Sequence, residues 1–578
     1  MTYEELYDEW INQPYEDSCT EKFEIRDGVA IIPEGTTKIG NRAFEDCSSL
    51  ESVTIPESVT EIGRSAFYSC TSLKNVAIPK SVTKIGYCAF GCCTSLESVT
   101  IPDSVTIIDW RAFEGCTSLK NVIIPDSVTF LGEKAFSDCT SLESITISKS
   151  VTLIQHYTFN DCSSLKSITI PDSVKEIGVG AFRWCAALES VTIPESVTRI
   201  GCYAFMGCIS LHKVVIPSSV TEIDCGAFSG CNSLHEVVIP NGVKKIDEIA
   251  FRGCTSLHEV VIPSSVTEIG SGVFEGCSNL AKITVEEDNV IYDSREGCNA
   301  IILKETNCLI ISCRNTVIPS SVTEIDCGAF SGCNSLQEIV IPEGVTIIGE
   351  EAFRDCTNLR KIVLPSSITE IGCDVFLGCT SLHKIVIPES VTSIGSSFSG
   401  CTGLQEVVIS SSVTEIGDYA FSDCIDLREV VIPEGVTRIG CRAFDGCTGL
   451  RRIVIPSTIT TIDEEAFRDC TSLCEVVISE GVRVIGFRAF GDCINLCEIV
   501  IPEGIKIDGG AFERCSSLEI VHLPAVMSIV SILSPFSGCD NLKAIYVPKK
   551  KVDFYKKRFP TDMHWLIVEE GADFPVKP

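Results

Sequence analysis

Apolar and polar residues follow one another along this chain in a pattern that repeats every 23 residues in most copies. Each copy reads Ala-Phe-x-x-Cys-x-x-Leu-x-x-Val-x-Ile-Pro-x-x-Val-x-x-Ile-Gly-x-x, and the repeat Phe marks twenty-one copies. A unit this short cannot bury its apolar face alone, so each copy must stack on its neighbours as one coil of a solenoid. The repeat Phe lies at positions 44, 67, 90, 113, 136, 159, 182, 205, 228, 251 and 274, then at 330, 353, 376, 398, 421, 444, 467, 490, 512 and 536.

The pattern within a coil predicts its elements. Val-x-Ile predicts a short strand with both branched side chains facing inward, and the Pro that follows ends it because Pro has no N–H to donate. Val-x-x-Ile predicts a second extended segment. Ala-Phe-x-x-Cys-x-x-Leu predicts a compact turn or short helix on the opposite side, with Phe and Leu in the core. The residue after the second segment is nearly always Gly or Asp, which we expect where φ is positive; examples are Gly63, Gly86, Asp109 and Asp224.

This consensus resembles the BspA-like (Treponema pallidum type) class of leucine-rich repeats, and the resemblance extends from about residue 29 to residue 548. It implies a curved repeat solenoid with a parallel β-sheet on one face and short helical turns opposite. It also implies a protein-binding function, because family members are chiefly surface-associated or secreted binding proteins, including adhesins for host matrix proteins. The N-terminus has no secretory signal pattern, which favours an intracellular interaction scaffold as the alternative.

Departures from the pattern divide the chain into five segments. At the N-terminus, Thr2 with Glu5 predicts a capping box that opens a short helix ending near Pro14. Between the two arrays, apolar runs separated by polar residues predict a hairpin, which is either a spacer or a projecting binding loop. Residues 216–234 and 318–336 are identical, which indicates recent duplication. The predicted segments are an N-terminal cap (1–28), a first array (29–285), an island insertion (286–317), a second array (318–548) and a C-terminal cap (549–578).

Composition and charge argue against several classes of partner and against catalysis. The net charge of −32 makes nucleic acid and anionic lipid poor partners, and no apolar stretch is long enough to span a membrane. The chain contains no phosphate loop, no His-Glu-x-x-His and no Gly-x-Ser-x-Gly, so we expect no catalytic residues and no cofactor. Six basic residues between positions 549 and 558 indicate either a docking patch or a solvated capping helix. We therefore expect a monomer that binds a protein partner.

Twenty-one of the 34 cysteines lie three residues after the repeat Phe, once in every coil. Stacking would place them in one column, either as small buried core residues or as a redox or metal site. A second, partial column precedes the repeat Phe by three residues, and we expect it to be more exposed. Its members are Cys202, Cys225, Cys327, Cys373 and Cys441.

The central outward position of the predicted strand is mostly Thr in the early coils and Val in the later ones. Eight consecutive valines of the second array would form an apolar stripe ~35 Å long at a strand spacing of ~4.8 Å. Such a stripe is either cross-strand packing or a ligand-binding ridge. We name these residues the valine column: Val340, Val363, Val386, Val408, Val431, Val454, Val477 and Val500.

Three of the seven histidines, His212, His235 and His258, occupy one position in successive coils. Neighbouring rungs at ~5 Å would suit a shared metal ion or a pH-sensitive column. Duplication of a Leu-His-x-Val-Val-Ile-Pro coil explains the same pattern without a function.

Overall fold

The computed structural model describes residues 23–526, 528–529 and 535–575. The helix predicted between Thr2 and Pro14 lies outside this range. The chain divides into two compact units, Met1–Phe274 and Glu275–Pro578, each built from stacked coils around its own core.

Each coil contributes one strand, here named the face strand, to a parallel sheet. In Ser52–Thr54, Val53 is buried and both flanking residues are exposed. The face strand begins one residue before the repeat Val and usually ends before the repeat Ile, which is buried all the same. In the first unit the face strands are Val29–Ile31, Ser52–Thr54, Asn75–Ala77, Ser98–Thr100, Asn121–Ile123, Ser144–Thr146, Ser167–Thr169, Ser190–Thr192, Lys213–Val215, Glu236–Val238 and Glu259–Ile262; a short strand, Ile25–Arg26, pairs antiparallel with the first of them. In the second unit they are Lys282–Val285, Glu338–Val340, Lys361–Val363, Lys384–Val386, Glu406–Val408, Glu429–Val430, Arg452–Ile455, Glu475–Ile478, Glu498–Val500, Ile520–His522, Ala544–Val547 and Ile567–Glu569.

A second strand of two residues in each coil forms another parallel ladder, in which Glu61–Ile62 pairs with Lys84–Ile85. In the first unit these strands are Lys38–Ile39, Glu61–Ile62, Lys84–Ile85, Ile107–Ile108, Phe130–Leu131, Leu153–Ile154, Glu176–Ile177, Arg199–Ile200, Glu222–Ile223, Lys245–Ile246 and Glu268–Ile269. In the second unit they are Glu324–Ile325, Ile347–Ile348, Glu370–Ile371, Ser393–Ile394, Glu415–Ile416, Arg438–Ile439, Thr461–Ile462, Val484–Ile485, Lys506–Ile507 and Ser528–Ile529.

The side of the coil that carries the repeat Phe consists of turns. Residues two before and two after the Phe adopt a left-handed backbone, as in Arg42 (φ 60°) and Asp46 (φ 58°), and single left-handed residues interrupt an α-helix. The N–H groups of Arg42 and Phe44 donate to the carbonyls of Arg64 and Ala66 in the next coil at 2.8 and 2.7 Å. The compact turn predicted for this segment is therefore confirmed, while its alternative, the short helical turns that the resemblance implies, is not formed in the described coils. Backbone N–H groups there donate alternately to the next coil and within the turn, as Glu45 does to Arg42 at 3.2 Å.

At Gly86, which ends the second strand of its coil, the preceding coil leaves no room for a side chain. An added Cβ at Gly86 would lie 2.8 Å from the carbonyl oxygen of Ile62 in the preceding coil. Where Asp109 takes this position, its Oδ1 accepts a hydrogen bond from the N–H of Trp110 at 2.8 Å. None of these residues has a positive φ. The prediction of a positive φ at Gly63, Gly86, Asp109 and Asp224 is therefore wrong.

The repeat Phe rings stack along the core of each unit. In the first unit, ring centroids of successive coils are between 5.0 Å (Phe44 and Phe67) and 6.1 Å apart (Phe136 and Phe159). In the second unit the closest pair is Phe330 and Phe353, at 4.7 Å. Because each ring contacts the rings of the coils before and after it, every coil depends on its neighbours for burial.

The island consists of three antiparallel strands, Tyr292–Asp293, Ile301–Leu303 and Cys308–Ile311, with a 3₁₀ turn at Arg295–Gly297. Its last strand pairs in parallel with Glu324–Ile325, so the island continues into the second ladder. Its apolar residues are buried in the core of the second unit, which argues against a loop that projects from the surface.

The C-terminal cap contains an α-helix, Val552–Lys556, a 3₁₀ helix, Thr561–Leu566, and the last face strand, Ile567–Glu569. Tyr555 is fully buried, and its hydroxyl donates to the carbonyl of Pro524 at 2.6 Å. The helix is thereby fixed on the final coils, whose apolar residues would otherwise face solvent. In the cluster of basic residues, the guanidinium of Arg558 lies 3.6 Å from the centroid of the Phe554 ring.

Candidate binding surface

All eight members of the valine column lie outward on the face of the second unit. Their exposed fractions range from 39% at Val454 to 71% at Val340. The outward direction follows from strand alternation: in Glu338–Val340, Ile339 points into the core and both neighbours point to solvent. The sequence therefore places a row of exposed apolar side chains where solvent would favour polar ones.

Parallel strand pairing aligns six of the eight valines as three in-register pairs. Val340 is the direct partner of Val363, and Val454 is the direct partner of Val477. Since the backbone positions are fixed by strand hydrogen bonds, the surface needs little ordering when a ligand binds.

The first unit presents a different surface at the equivalent position, with threonines in most of its early coils. There, the neighbouring exposed position also carries hydroxyl or amide groups, and Ser98 Oγ donates to Asn75 Oδ1 at 2.7 Å. Early coils also carry exposed apolar residues at this position, Ile31 and Ile123, but only the last coils, with Val215, Val238 and Val261, carry them in succession. The early threonine face thus gives a matched, polar reference for the valine column.

A cleft lies in the valine column at Val431. The face strand Glu429–Val430 ends a residue earlier than its neighbours, so Val431 lies outside the strand and is 69% exposed. The flanking valines, Val408 and Val454, are 41% and 39% exposed. A cleft of about 310 Å³ lies at this place, and its lining includes Val431, Val454, Glu429, Glu434, Arg452, Pro456 and Ser479.

Charged residues flank the column at the first position of each face strand. Lys384 Nζ lies 2.7 Å from a carboxylate oxygen of Glu406, and Arg452 Nε lies 2.9 Å from one of Glu475. These pairs are exposed, so they add little stability, and their charges remain accessible to a partner. The residues at this position include Glu338, Lys361, Lys384, Glu406, Glu429 and Arg452, all of them exposed.

The three stacked histidines are exposed and do not converge on one point. The rings of His212 and His235 are tilted by 52°, with centroids 6.5 Å apart. Within the described residues, only Asp418, Cys441 and Asp463 bring three potential ligand atoms within 4.8 Å of one another. His212, His235 and His258 therefore form no shared set of metal ligands in this structure.

The two carboxylates of the cluster of Asp418, Cys441 and Asp463 are bridged by an arginine. Arg438 Nη2 lies 2.9 Å from a carboxylate oxygen of Asp418 and 2.8 Å from one of Asp463. Because the guanidinium occupies the space between the carboxylates, the cluster is an ion-pair network that links neighbouring coils.

Cysteines of the main column are structural residues in the described coils. The Sγ of Cys401 donates to the carbonyl of Phe376 in the preceding coil at 3.1 Å, and Cys447 donates to Phe421 in the same way. Burial raises the pKa of the Cys401 thiol to about 12, which keeps it protonated and unreactive at neutral pH. In the second column, by contrast, Cys327 and Cys373 are exposed, as expected.

Sequence patterns did not reveal the cleft or the cations beside it. Arg428 and Arg451 each stand one residue before a face strand, are exposed, and have no carboxylate partner within the described part of the chain. The two arginines lie at the same distance after the repeat Phe of their coils, so a comparison of the charge at this position from coil to coil could have identified them. The premature end of one face strand had no comparable signal, because Glu429 and its successors match the consensus.

No helix among the described residues is long and apolar enough to cross a membrane.

Comparisons with known proteins agree with this architecture. The profile of the BspA type leucine-rich repeat region matches residues 28–142, 85–201, 175–295, 306–428 and 396–519. No curated protein matches the chain.

Three solved structures illustrate the likeness. A leucine-rich repeat protein from Bacteroides ovatus is 28% identical, with 70% of this chain and 92% of that chain covered and a TM-score of 0.44. A leucine-rich cell surface protein from Faecalibacterium prausnitzii is 32% identical, with coverages of 70% and 87% and a TM-score of 0.43. A T. pallidum leucine-rich repeat protein is 28% identical, with coverages of 34% and 86% and a TM-score of 0.26. Since the family profile matches well over half of its residues, the chain belongs to the BspA-type leucine-rich repeat family.

Proposed function

We propose that this chain is a non-enzymatic binding protein, monomeric by itself, that engages a protein partner through the valine column. The observation that carries this proposal is the run of eight exposed valines in successive coils of the second unit. A continuous apolar patch on a soluble protein is costly unless a partner covers it. The threonines of the first unit support the proposal, because they fit the same strand position without exposing apolar surface.

The charged residues around the column would provide specificity. Exposed side chains such as Lys361 and Glu338 form a polar rim beside an apolar centre, which is the usual arrangement of a protein interface. Apolar contact would then provide most of the affinity, while the charges select the partner and its orientation.

For the biological setting, we propose a surface-associated or secreted adhesin that contacts host matrix proteins, as the family resemblance implies. The alternative is an intracellular interaction scaffold, favoured by the many free thiols of the described coils. Protease treatment of intact source cells separates the two. Release of peptides from unbroken cells supports the adhesin, and peptides found only after lysis support the scaffold.

The binding surface itself is tested by replacing valines with the residue that the first unit uses. In the variant V408T/V431T/V454T, apolar surface is removed with no new charge and no loss of strand propensity. We expect at least a tenfold loss of affinity for immobilised matrix glycoproteins, measured by surface plasmon resonance. The matched control T54V/T100V/T146V alters the same strand position in the first unit. Equal binding by wild type and the valine-to-threonine variant would refute the proposal.

A further inference from the structure

Two cysteines of the second column lie in adjacent coils of the first unit. Cys202 and Cys225 each stand two residues after a strand of the second ladder, and those strands, Arg199–Ile200 and Glu222–Ile223, pair in parallel register. Both side chains are half-buried. Every other member of the second column has no cysteine at the equivalent position of the coils beside it, so only this pair can bring two thiols of the column together.

The backbone holds the two cysteines close to each other. The N–H of Tyr203 donates to the carbonyl of Cys225 at 2.8 Å, so the residue after Cys202 is hydrogen-bonded to Cys225 itself. Neighbouring strands of a ladder lie ~4.8 Å apart, which is within the Cα separation of ~4.4–6.8 Å that a disulfide spans. The spacing of these coils is therefore compatible with a disulfide between them.

Each of the two side chains also extends towards the coil of the other. The Sγ of Cys202 lies 4.0 Å from Oδ2 of Asp224, the residue before Cys225. The Sγ of Cys225 lies 3.5 Å from the hydroxyl oxygen of Tyr203, the residue after Cys202. Since neither side chain is enclosed by the core, rotation about χ1 can bring the two sulfurs into contact.

A second pair of cysteines in adjacent coils lacks this convergence. Cys474 and Cys497 are 23 residues apart, as Cys202 and Cys225 are, and both are exposed. The Cys474 thiol donates to a carbonyl of the preceding coil at 3.4 Å, which directs it away from Cys497. The Cys497 thiol donates to a carbonyl of its own coil at 3.5 Å. The two pairs share a spacing but differ in side-chain direction, so the second pair is a natural comparison.

The surroundings of the first pair give its two thiols different reactivity. Burial and the carboxylate of Asp224 raise the pKa of the Cys202 thiol, which lowers its thiolate fraction. That carboxylate is itself held by Arg199, whose Nη2 lies 2.8 Å from Oδ2. Contact with the Cys225 thiol raises the pKa of Tyr203, so the phenol stays protonated at neutral pH and can donate to a thiolate at Cys225. We therefore expect Cys225 to react first.

We propose that Cys202 and Cys225 form a modification site at which a low-molecular-weight disulfide of the glutathione type creates a disulfide bond between two coils. The Cys225 thiolate attacks one sulfur of the small disulfide, forms a mixed disulfide and releases the first small thiolate. The Cys202 thiolate then attacks the Cys225 sulfur and displaces the second small thiolate. The two protons lost by the cysteines pass to the released thiolates, so one disulfide is reduced as another forms. The site lies in the first unit and does not depend on the valine column.

The test treats the reduced full-length chain with glutathione disulfide under native conditions. Remaining thiols are then blocked with N-ethylmaleimide in denaturant, and peptides are identified by mass spectrometry without reduction. We expect a peptide pair joined through Cys202 and Cys225, whereas the exposed Cys373 should carry a glutathione adduct and no bridge. Cys202→Ser should increase the glutathione adduct on Cys225 at least tenfold, because the second thiol is missing. Serine fits this position, since Ser271 occupies it in another coil.

Hydrogen exchange distinguishes a bridge formed in the folded chain from one formed after local unfolding. In the folded chain the bridge joins the coils that share the hydrogen bond from Tyr203 to Cys225, so the amide of Tyr203 should exchange at least tenfold more slowly after oxidation. Reduction with dithiothreitol should restore the original rate. Cys373→Ser is the matched control and should leave both the bridge and the exchange rate unchanged.

Each other outcome contradicts the proposed site in a distinct way. Absence of the expected bridge overturns it, as does a bridge between Cys474 and Cys497 in its place. A bridge accompanied by faster exchange at Tyr203 would show that the coils must separate before they react, and would overturn a site present in the native fold. Disulfide-linked dimers that Cys225→Ser abolishes would identify a second copy of the chain as the reaction partner and overturn it too.

Discussion

Replacement of Phe444 by Ala tests whether the stacked rings hold the coils together. Phe444 is fully buried, and its ring centroid lies 5.3 Å from that of Phe421 and 5.1 Å from that of Phe467. The substitution removes a large core side chain and two stacked contacts at once. We expect a loss of about 4–8 kcal/mol in the local free energy of unfolding, from about 3–5 for the cavity and about 0.5–1.5 for each of the two stacked pairs.

Native-state hydrogen exchange with mass spectrometry measures this loss coil by coil. In a repeat array each coil contacts only its neighbours, so exchange should accelerate most in the coils of Phe421, Phe444 and Phe467 and fade a few coils away. The control is Phe487→Ala, because Phe487 is only half-buried and its ring contacts the guanidinium of Arg488 at 5.3 Å. That change should cost about 1–2 kcal/mol. Equal effects of the two substitutions, or a uniform effect over the unit, would refute the reasoning.

Three further predictions concern backbone spacing, thiols and a buried carboxyl. Gly86→Ala should destabilise the first unit by about 1–3 kcal/mol in chemical denaturation, because its Cβ would meet backbone, whereas Gly395→Ala, with no atom within 4 Å, should be neutral or slightly stabilising. Under native conditions, iodoacetamide should label the exposed Cys373 and leave the buried Cys401 unlabelled until unfolding; equal labelling would contradict the structural role of the column. Burial raises the pKa of Asp445 to about 6, above its unfolded value, so this group favours folding increasingly as pH falls from about 6 towards 4. Asp445→Asn should therefore stabilise the protein at pH 7.5 and lose most of that advantage at pH 4.5, as thermal unfolding at both values would reveal.

The sequence was sufficient to predict the solenoid, the inward Val and Ile, and the outward valines. These depend on one rule, strand alternation repeated at a fixed period, and a shift of register by one residue would bury Val340 and expose Ile339. The rule applies to every coil, so no other information was needed to place the valine column on the surface.

The turn conformation was harder to predict because its signal is divided between two positions. Two residues after the Phe, the chain has mostly Asp or Gly, as at Asp46 and Gly115, which tolerate a left-handed backbone. Two residues before the Phe, it has Arg42 or Ser65, which give no such indication. Unless the Asp or Gly two residues after the Phe is taken into account, the apolar spacing of this segment fits a short helix as well as a turn.

From the sequence alone, the close approach of neighbouring coils at Gly86 could not be distinguished from a positive φ at this glycine. Both constraints select Gly, and only the position of Ile62 in the preceding coil distinguishes them. The cleft at Val431 lies where one face strand ends early, and the repeat pattern contains no information about where a single strand ends.

The most direct test of the valine column as a docking surface is site-specific photo-crosslinking in the source cells. A benzophenone amino acid is placed at Val431, and at Thr100 as the matched position in the first unit. The account predicts a discrete crosslinked species of defined mass from position 431, lost when V408T and V454T are added, with no such species from position 100. Identical adducts from both positions, or none from position 431, would contradict it.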